Sequence, residues 1–241
     1  MISESALQQL IRSQQVLPFR FCQSLWMIDN RAALYWPEQD CLLVADLHFE
    51  KGSYLSLYAS PVPRYDSRAT LSVLAALLNT YQPQKVICLG DSLHDSGAFE
   101  RLIDDDINQL QSLVDSVCEW QWVEGNHDPD IPAALGGIVL PQVSLTTQSG
   151  IDIDCQHIPV ASGRPQIVGH YHPKGRFVSR QRRFNGKCLV ATEALLMMPA
   201  LGQYTGGLSI DNDVLTALAP NARRQCYLLC EQRVVALPAR S

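Results

Sequence analysis

Three short strand-like runs in this chain stop at residues of the types that ligate metal ions, and this constrains the fold more than any other feature. Leu42 to Ala45 runs into Asp46 and His48, Lys85 to Leu89 into Gly90-Asp91, and Trp120 to Val123 into Gly125-Asn126-His127-Asp128. Apolar runs of this length read as buried strands. Strand side chains alternate, so Asp46 and His48, two apart, are expected to point to the same side. Two further runs end likewise, Ile151 to Cys155 just before His157 and Gln166 to Val168 at Gly169-His170-Tyr171-His172. Ligands of α/β proteins collect at the carboxyl ends of strands, which is the reason for pooling these residues into one site.

At 241 residues and 46% apolar content the chain suffices for a single α/β domain over 1–241. The net charge of −5 argues against a generally basic coat and leaves any one face open. Met1 to Gln15 lacks the apolar core of a signal peptide, and no run approaches a membrane span, so a soluble, cytoplasmic protein is expected. The 8 cysteines are scattered through apolar runs without a Cys-x-x-Cys pair and read as reduced core residues, with Cys226 and Cys230 on one strand face.

In chain order, Ser5 to Ser13 reads as an amphipathic helix and Phe19 to Tyr35 as strands broken at Asp29-Asn30-Arg31. Pro37 to Asp40 is a hairpin loop, Gly52 to Pro63 a loop near the site, and Asp66 the cap of a helix running to about Leu78. A helix from about Phe99 to Val114 carries Asp104-Asp105-Asp106 as a solvated face. Val139 to Thr147 and Ile151 to Cys155 suggest a hairpin, and Lys187 to Thr192, Leu208 to Ile210, Tyr227 to Cys230 and Val234 to Leu237 further strands.

The pooled donors are Asp46, His48, Asp91, Asn126, His157, His170 and His172, all oxygen or nitrogen. They exceed the needs of one tetrahedral zinc and suit two divalent ions bridged by a shared carboxylate. Asp91 lies between the two donor groups in chain order and is the natural bridge. Mixed carboxylate and imidazole ligation favours Mn²⁺ or Fe, with Zn²⁺ as an alternative. All 6 histidines lie within or close to these strand ends.

The ordered set Asp46-x-His48, Gly90-Asp91, Gly125-Asn126-His127-Asp128, His157 and Gly169-His170-x-His172 resembles the calcineurin-like metallophosphoesterase superfamily. The resemblance implies a four-layer α-β-β-α sandwich of two mixed sheets with a two-metal site at the loops. It assigns Asp46, His48, Asp91 and His172 to one ion, and Asp91, Asn126, His157 and His170 to the other. Ala45 to Gly52, Tyr65-Asp66, Leu89 to Asp95 and Met198 to Leu208 are similar to the bacterial ligase-associated DNA damage response endonuclease family. Leu201 and Leu93 stand where that family usually or often carries an aromatic residue, an apolar exchange outside the ligand set.

Two ions about 3.5–4 Å apart activate a bridging hydroxide for in-line attack on phosphorus. His127 is the candidate general acid, with Asp128 expected to fix its tautomer, or else His127 supports a ligand. His94 contacts a substrate phosphate or a ligand carboxylate, and Glu50 and Lys51 form an exposed ion pair or touch substrate. Arg164, Lys174, Arg176, Arg180, Arg182, Arg183 and Lys187 lie in a stretch without Asp or Glu from Cys155 to Thr192. That flank suits nucleic-acid backbone contacts, with Arg180, Arg182 and Arg183 as substrate-binding residues, or is a solvated hairpin. Tyr171 and Phe184 stack on a base or pack at the rim. The reading is a phosphodiesterase, a DNA endonuclease of repair functionally associated with a ligase and a helicase. A phosphatase or small-nucleotide phosphoesterase is the alternative, and a non-catalytic interaction module the third reading.

Overall fold

Cys41, Leu42, Leu43 and Val44 are wholly buried because the strand they form is covered on both faces. Leu42 and Val44 face a helix layer, whereas Cys41, Leu43 and the following Ala45 face a second sheet. A strand covered in this way needs no polar alternation, which is why the run is continuously apolar. The computed structural model describes residues 1–58, 65–179 and 181–238.

The first sheet takes its strands in chain order: β1 (Val16–Phe21), β2 (Ser24–Asp29), β3 (Ala33–Trp36), β4 (Cys41–Val44), β5 (Lys85–Leu89), β6 (Glu119–Val123) and β7 (Ile138–Leu140). Antiparallel hairpins link β1 to β4, and β4 to β7 are parallel. The second sheet holds β8 (Val143–Thr146), β9 (Asp152–Gln156), β10 (Gln166–Val168), β11 (Lys174–Ser179), β12 (Arg182–Ala191), β13 (Leu195–Met197), β14 (Gln225–Cys230) and β15 (Arg233–Ala236). Its order is β15-β14-β12-β13-β10-β9-β8, with β11 paired to β12.

Helices α1 (Glu4–Arg12), α2 (Lys51–Tyr58), α3 (Asp66–Tyr81), α4 (Ala98–Arg101) and α5 (Asp104–Asp115) come from the first half of the chain, and α6 (Asp213–Leu218) from the second. Leu71, Leu74 and Leu77 of α3 and Leu110 and Val114 of α5 pack on the outer face of the first sheet. Trp26, Trp36, Leu43 and Ile87 meet Ile153, Ile167, Leu189 and Leu229 between the sheets. Leu215 of α6 lies with Val168, Val190 and Leu228 on the outer face of the second sheet. This is the expected α-β-β-α sandwich. The described cysteines are all free, and no helix among the described residues is long and apolar enough to cross a membrane.

Several local expectations change. Lys51–Tyr58 is a helix, not a loop, and residues 59–63 of the expected loop lie outside the described residues. Its start is fixed from outside: the Gly52 N–H donates to Asp66 Oδ2 at 2.7 Å, so Asp66 holds α2 rather than capping α3. The long helix breaks at Leu102 and Ile103, both extended, and Leu102 turns into the core. Asp106 is buried and accepts from Arg68 of α3 at 2.8 and 3.0 Å, so the acidic run is only partly a solvated face. The expected hairpin around Ser149-Gly150 forms, β8 pairing antiparallel with β9, but its first arm starts only at Val143, since Val139 and Leu140 belong to β7 at the edge of the first sheet. Leu208 to Ile210 forms only an isolated bridge, between Lys174 and Ser209.

Helix α3 is tied to the first sheet by a buried carboxylate. Asp29 accepts from the Arg31 backbone and Nε at 2.8 Å, from Arg31 Nη2 at 2.6 Å and from Tyr81 Oη at 2.8 Å. Replacing Tyr81 by Phe keeps the ring packing and removes one donor to a charged acceptor. Urea unfolding should show a loss of about 1.5–3 kcal/mol with an unchanged m-value.

Candidate metal centre

Strands β4, β5 and β6 run parallel in register, Val44 beside Cys88 and Leu89 beside Val123, so their carboxyl ends open on one side. Beyond the strands the chains stay zipped. Asp46 N donates to Gly90 O at 3.2 Å, His48 N to Asp91 O at 2.9 Å and Phe49 N to Ser92 O at 2.9 Å. Asp46 and His48 therefore sit in the loop after β4, and strand alternation is not what aims them. Both are left-handed, at φ 53° and 47°, as are Asp91 at 47°, His170 at 71° and His172 at 45°. Asp and His tolerate that region better than most residues, and each such position still costs on the order of 1–3 kcal/mol. Leu47 between the first pair is driven into the core, which orients the flanking polar side chains away from it.

The donors form two groups. In the first, His172 Nε2 lies 3.1 Å from Asp46 Oδ1 and 3.3 Å from His48 Nε2. In the second, His157 Nε2 lies 3.0 Å from Asn126 Oδ1, 3.2 Å from His170 Nδ1 and 3.3 Å from Asp91 Oδ2. Asp91 Oδ2 is also 3.9 Å from His48 Nε2, so this carboxylate reaches both. Within Asp46, His48 and His172, and within Asp91, His157 and His170, all ligand atoms lie inside 4.8 Å of one another.

The tautomer of His157 tests whether a cation fits. Its Nδ1 lies 3.0 Å from Leu89 O and must carry the proton donated there, which leaves Nε2 of the neutral ring as a lone pair. That lone pair faces two oxygens that are themselves acceptors, and acceptors converge only around positive charge. Burial works to lower the His157 pKa, yet the hydrogen bond to Asp91 and the charges of Asp46 and Asp91 carry it upward. The site draws a cation, in the form of a proton if nothing else. With no thiolate in either group, the donors suit divalent ions of intermediate hardness.

His48 is held neutral, its pKa lowered to about 2 by burial and by the charges of Lys51 and His172. Its second nitrogen, Nδ1, lies 3.2 Å from His94 Nδ1. His94 is buried, packs edge-on against Tyr54 at 4.7 Å between ring centroids and stacks on His127 at 5.1 Å. The structure thus brings His94 to a ligand ring rather than to a ligand carboxylate. His127 is at the rim, its side chain 43% exposed, with Nε2 4.0 Å from Asp91 Oδ2. Asp128 does not orient it. The Asp128 carboxylate is buried and accepts from Leu93 N at 2.9 Å and Gly125 N at 3.1 Å, which clamps the loops after β5 and β6 together. Burial pushes its pKa up to about 7.

Glu50 is no exposed ion pair, because it is buried and accepts from Ser67 Oγ at 2.9 Å. Lys51, half-buried, feels the charges of Asp91 and Asp46, which oppose the lowering of its pKa by burial. Lys187, one of the cations of the basic flank, lies next to the site. It donates to Leu201 O at 2.8 Å and Gly202 O at 3.2 Å, and burial lowers its pKa to about 8. Arg182 and Arg183 are not beside the metal ligands. Lys187 pairs with Lys174, two residues past His172, and Arg182 lies five residues further along the strand, about 16 Å away. Arg182 instead bridges Glu231 at 2.9 Å, Arg164 pairs with Asp152 and Asp154, and Arg180 lies outside the described residues.

Gly90 marks how tightly the second group is built. It has φ +72°, and a Cβ there would sit 2.4 Å from His157 Nδ1 and 2.5 Å from its Cγ. Gly90→Ala should displace the His157 ring, so elemental analysis should find about one ion per chain fewer than in the parent, with the far-ultraviolet circular dichroism unchanged. Full metal content in the variant would show that His157 is dispensable.

No curated protein matches the chain in sequence. Among solved structures, Pseudomonas putida nuclease MPE is similar over 92% of this chain and 100% of its own, at 27% identity and a TM-score of 0.70. The protein of unknown function AQ665 from Aquifex aeolicus is 16% identical over 58% of this chain and 81% of its own, with a TM-score of 0.41. The phosphoesterase Yfce from E. coli is 15% identical over 83% and 98%, also with a TM-score of 0.41. The family model described as calcineurin-like phosphoesterase matches residues 41–189, well over half of the chain and every donor from Asp46 to His172. The chain belongs to the calcineurin-like phosphoesterase family and is a metal-dependent hydrolase of phosphoester bonds.

Proposed function

We propose that this protein is a two-metal phosphodiesterase that cuts DNA internally, a repair endonuclease. The observation that carries the reading is the pair of donor groups sharing Asp91, set in a chain similar along its length to a nuclease. Asp46, His48, Asp91 and His172 hold one ion; Asp91, Asn126, His157 and His170 hold the other. Mn²⁺ suits this mixture of imidazole and carboxylate, ahead of Fe or Zn²⁺. When bound, such ions supply a water nucleophile at neutral pH and neutralise the phosphate oxygens.

The chain's own residues do the rest. His157 is fixed through its Nδ1–H to Leu89 O, and His48 through Nδ1 to His94, so each presents Nε2 to its group. His127 is held at the rim by its backbone N–H, which donates to Asp91 Oδ1 at 2.9 Å, and by stacking on His94. From there its ring gives a proton to the departing oxygen as the bond to phosphorus breaks. Functional association with a DNA ligase and a helicase, and a cytoplasmic location, extend the same reading from the family resemblance.

The direct test is the Mn²⁺-loaded protein on single-stranded circular DNA, duplex DNA, a chromogenic phosphodiester and a phosphomonoester. Opening of the circle supports endonuclease action; turnover of the small esters alone makes the enzyme a small-nucleotide phosphoesterase or phosphatase. His127→Ala should keep its metal and slow cleavage of poor leaving groups by roughly 10²–10⁴-fold. Asp91→Ala should lose bound metal and turnover together, and retained activity would exclude the shared carboxylate.

A further inference from the structure

The hairpin that follows His172 has two chemically different faces, and the register of its strands fixes which cations share one. Residues directly opposite in an antiparallel pair lie on the same face. Lys174 pairs with Lys187, Arg176 with Asn185 and Val178 with Arg183, and these rows alternate with Gly175–Gly186, Phe177–Phe184 and Ser179–Arg182. Phe177 and Phe184 pack toward the core of the second sheet, and Arg182 stays with them, its guanidinium 5.3 Å from the Phe184 ring. The other face carries Lys174, Arg176 and Arg183, all exposed, above the half-buried Lys187. Arg176 and Arg183 make no ion pair among the described residues.

This basic face starts at the metal centre. Lys174 is two residues past His172 and donates to Thr205 O at 2.8 Å. The segment that Lys174 and Lys187 pin, 201–205, is itself joined to the first donor group, since Gly202 N donates to Asp46 O at 3.0 Å. Between this segment and the hairpin lies a cleft of about 750 Å³ lined by Lys174, Arg176, Asn185, Lys187, Gln203 and Tyr204 among others, with no carboxylate. Tyr204 is 46% exposed and offers a ring on which a base stacks. Successive rows of one face are two residues apart, about 6.8 Å. That spacing is close to the distance between neighbouring phosphates of an extended nucleic-acid strand.

We infer that this face of the β11–β12 hairpin is a phosphate track for one extended strand of nucleic acid leaving the centre on its Asp46 and His172 side. Lys174 meets the nearest phosphate, Arg176 the next and Arg183 the third, and Tyr204 stacks on a base beside them. The inference rests on the phosphodiesterase reading and adds to it a direction, a length and a division of labour among the arginines. Arg183 binds substrate, and Arg182, on the opposite face, does not.

The test is fluorescence anisotropy of the Mn²⁺-loaded protein with 5′-labelled, cleavage-resistant phosphorothioate oligothymidylates of three and twelve nucleotides across a salt series. Each cation removed from a single-strand contact flattens the plot of log K against log salt by about 0.7. Arg176→Gln with Arg183→Gln should flatten the slope for the twelve-mer by about 1.4 and change the trimer less, because the trimer is too short to span all rows and the centre. Arg182→Gln should keep the parental slope. Thermal unfolding midpoints check that the variants are folded. An unchanged slope in the double variant, or an equal loss in Arg182→Gln, overturns the track. If the parent cuts the circle while the double variant keeps its slope, the track alone falls. If the parent neither binds nor cuts DNA yet hydrolyses the small diester, the nucleic-acid reading fails and the track with it.

Discussion

Asp91 reaches both donor groups because β5 lies between β4 and β6 and runs parallel to each. Parallel strands need crossover connections, so successive strand ends emerge on the same side of a sheet, and a residue after the middle strand borders both neighbouring loops. The loop after β4 zips onto the loop after β5 through Asp46 N to Gly90 O and His48 N to Asp91 O. The loop after β6 is held from its other side, His127 N donating to Asp91 Oδ1 and Leu93 N to Asp128 Oδ2. Pairing of the sheet therefore continues into the centre, and the position of Asp91 is an outcome of the whole parallel segment.

A centre built this way is unfavourable until it is neutralised. Asp46 and Asp91 are almost wholly buried, five of the seven donor residues hold left-handed backbone, and lone pairs of His157, Asn126 and Asp91 converge. Burying carboxylates and straining the backbone both cost free energy. A divalent cation would neutralise the carboxylates, and anything that binds only the folded state stabilises it by mass action and so offsets the strain. Metal affinity and folding are coupled here for the same physical reason.

The charge of the molecule is divided by the same two-residue period that builds its sheets. The net charge is −5, yet the face of the β11–β12 hairpin that leads away from His172 is basic. Many carboxylates elsewhere are spent on structure: Asp29 on Arg31 and Tyr81, Asp66 on α2, Asp106 on Arg68, Asp128 on the ligand loops. What remains is a buried anionic centre beside an exposed cationic strip, an arrangement suited to a substrate whose backbone carries repeated negative charge.

The sequence alone was enough to place β4, β5, β6 and β10, because strands buried on both faces are written as apolar runs. It also singled out the residues from Asp46 to His172 that the structure gathers into two groups, because ligand chemistry restricts residue type and the runs stop at them. It placed the two-sheet sandwich through the resemblance those motifs carry. Tertiary structure decided what depends on partners far along the chain. Lys51–Tyr58 is helical because Asp66 holds its first turn, β7 and β8 separate because the chain passes from one sheet to the other, and Asp128 serves Leu93 and Gly125 rather than His127. Arg182 and Arg183 are neighbours in sequence and lie on opposite faces of the hairpin, because a strand turns successive side chains to opposite sides. Their register was fixed by pairing with β11, which no local pattern of residues states.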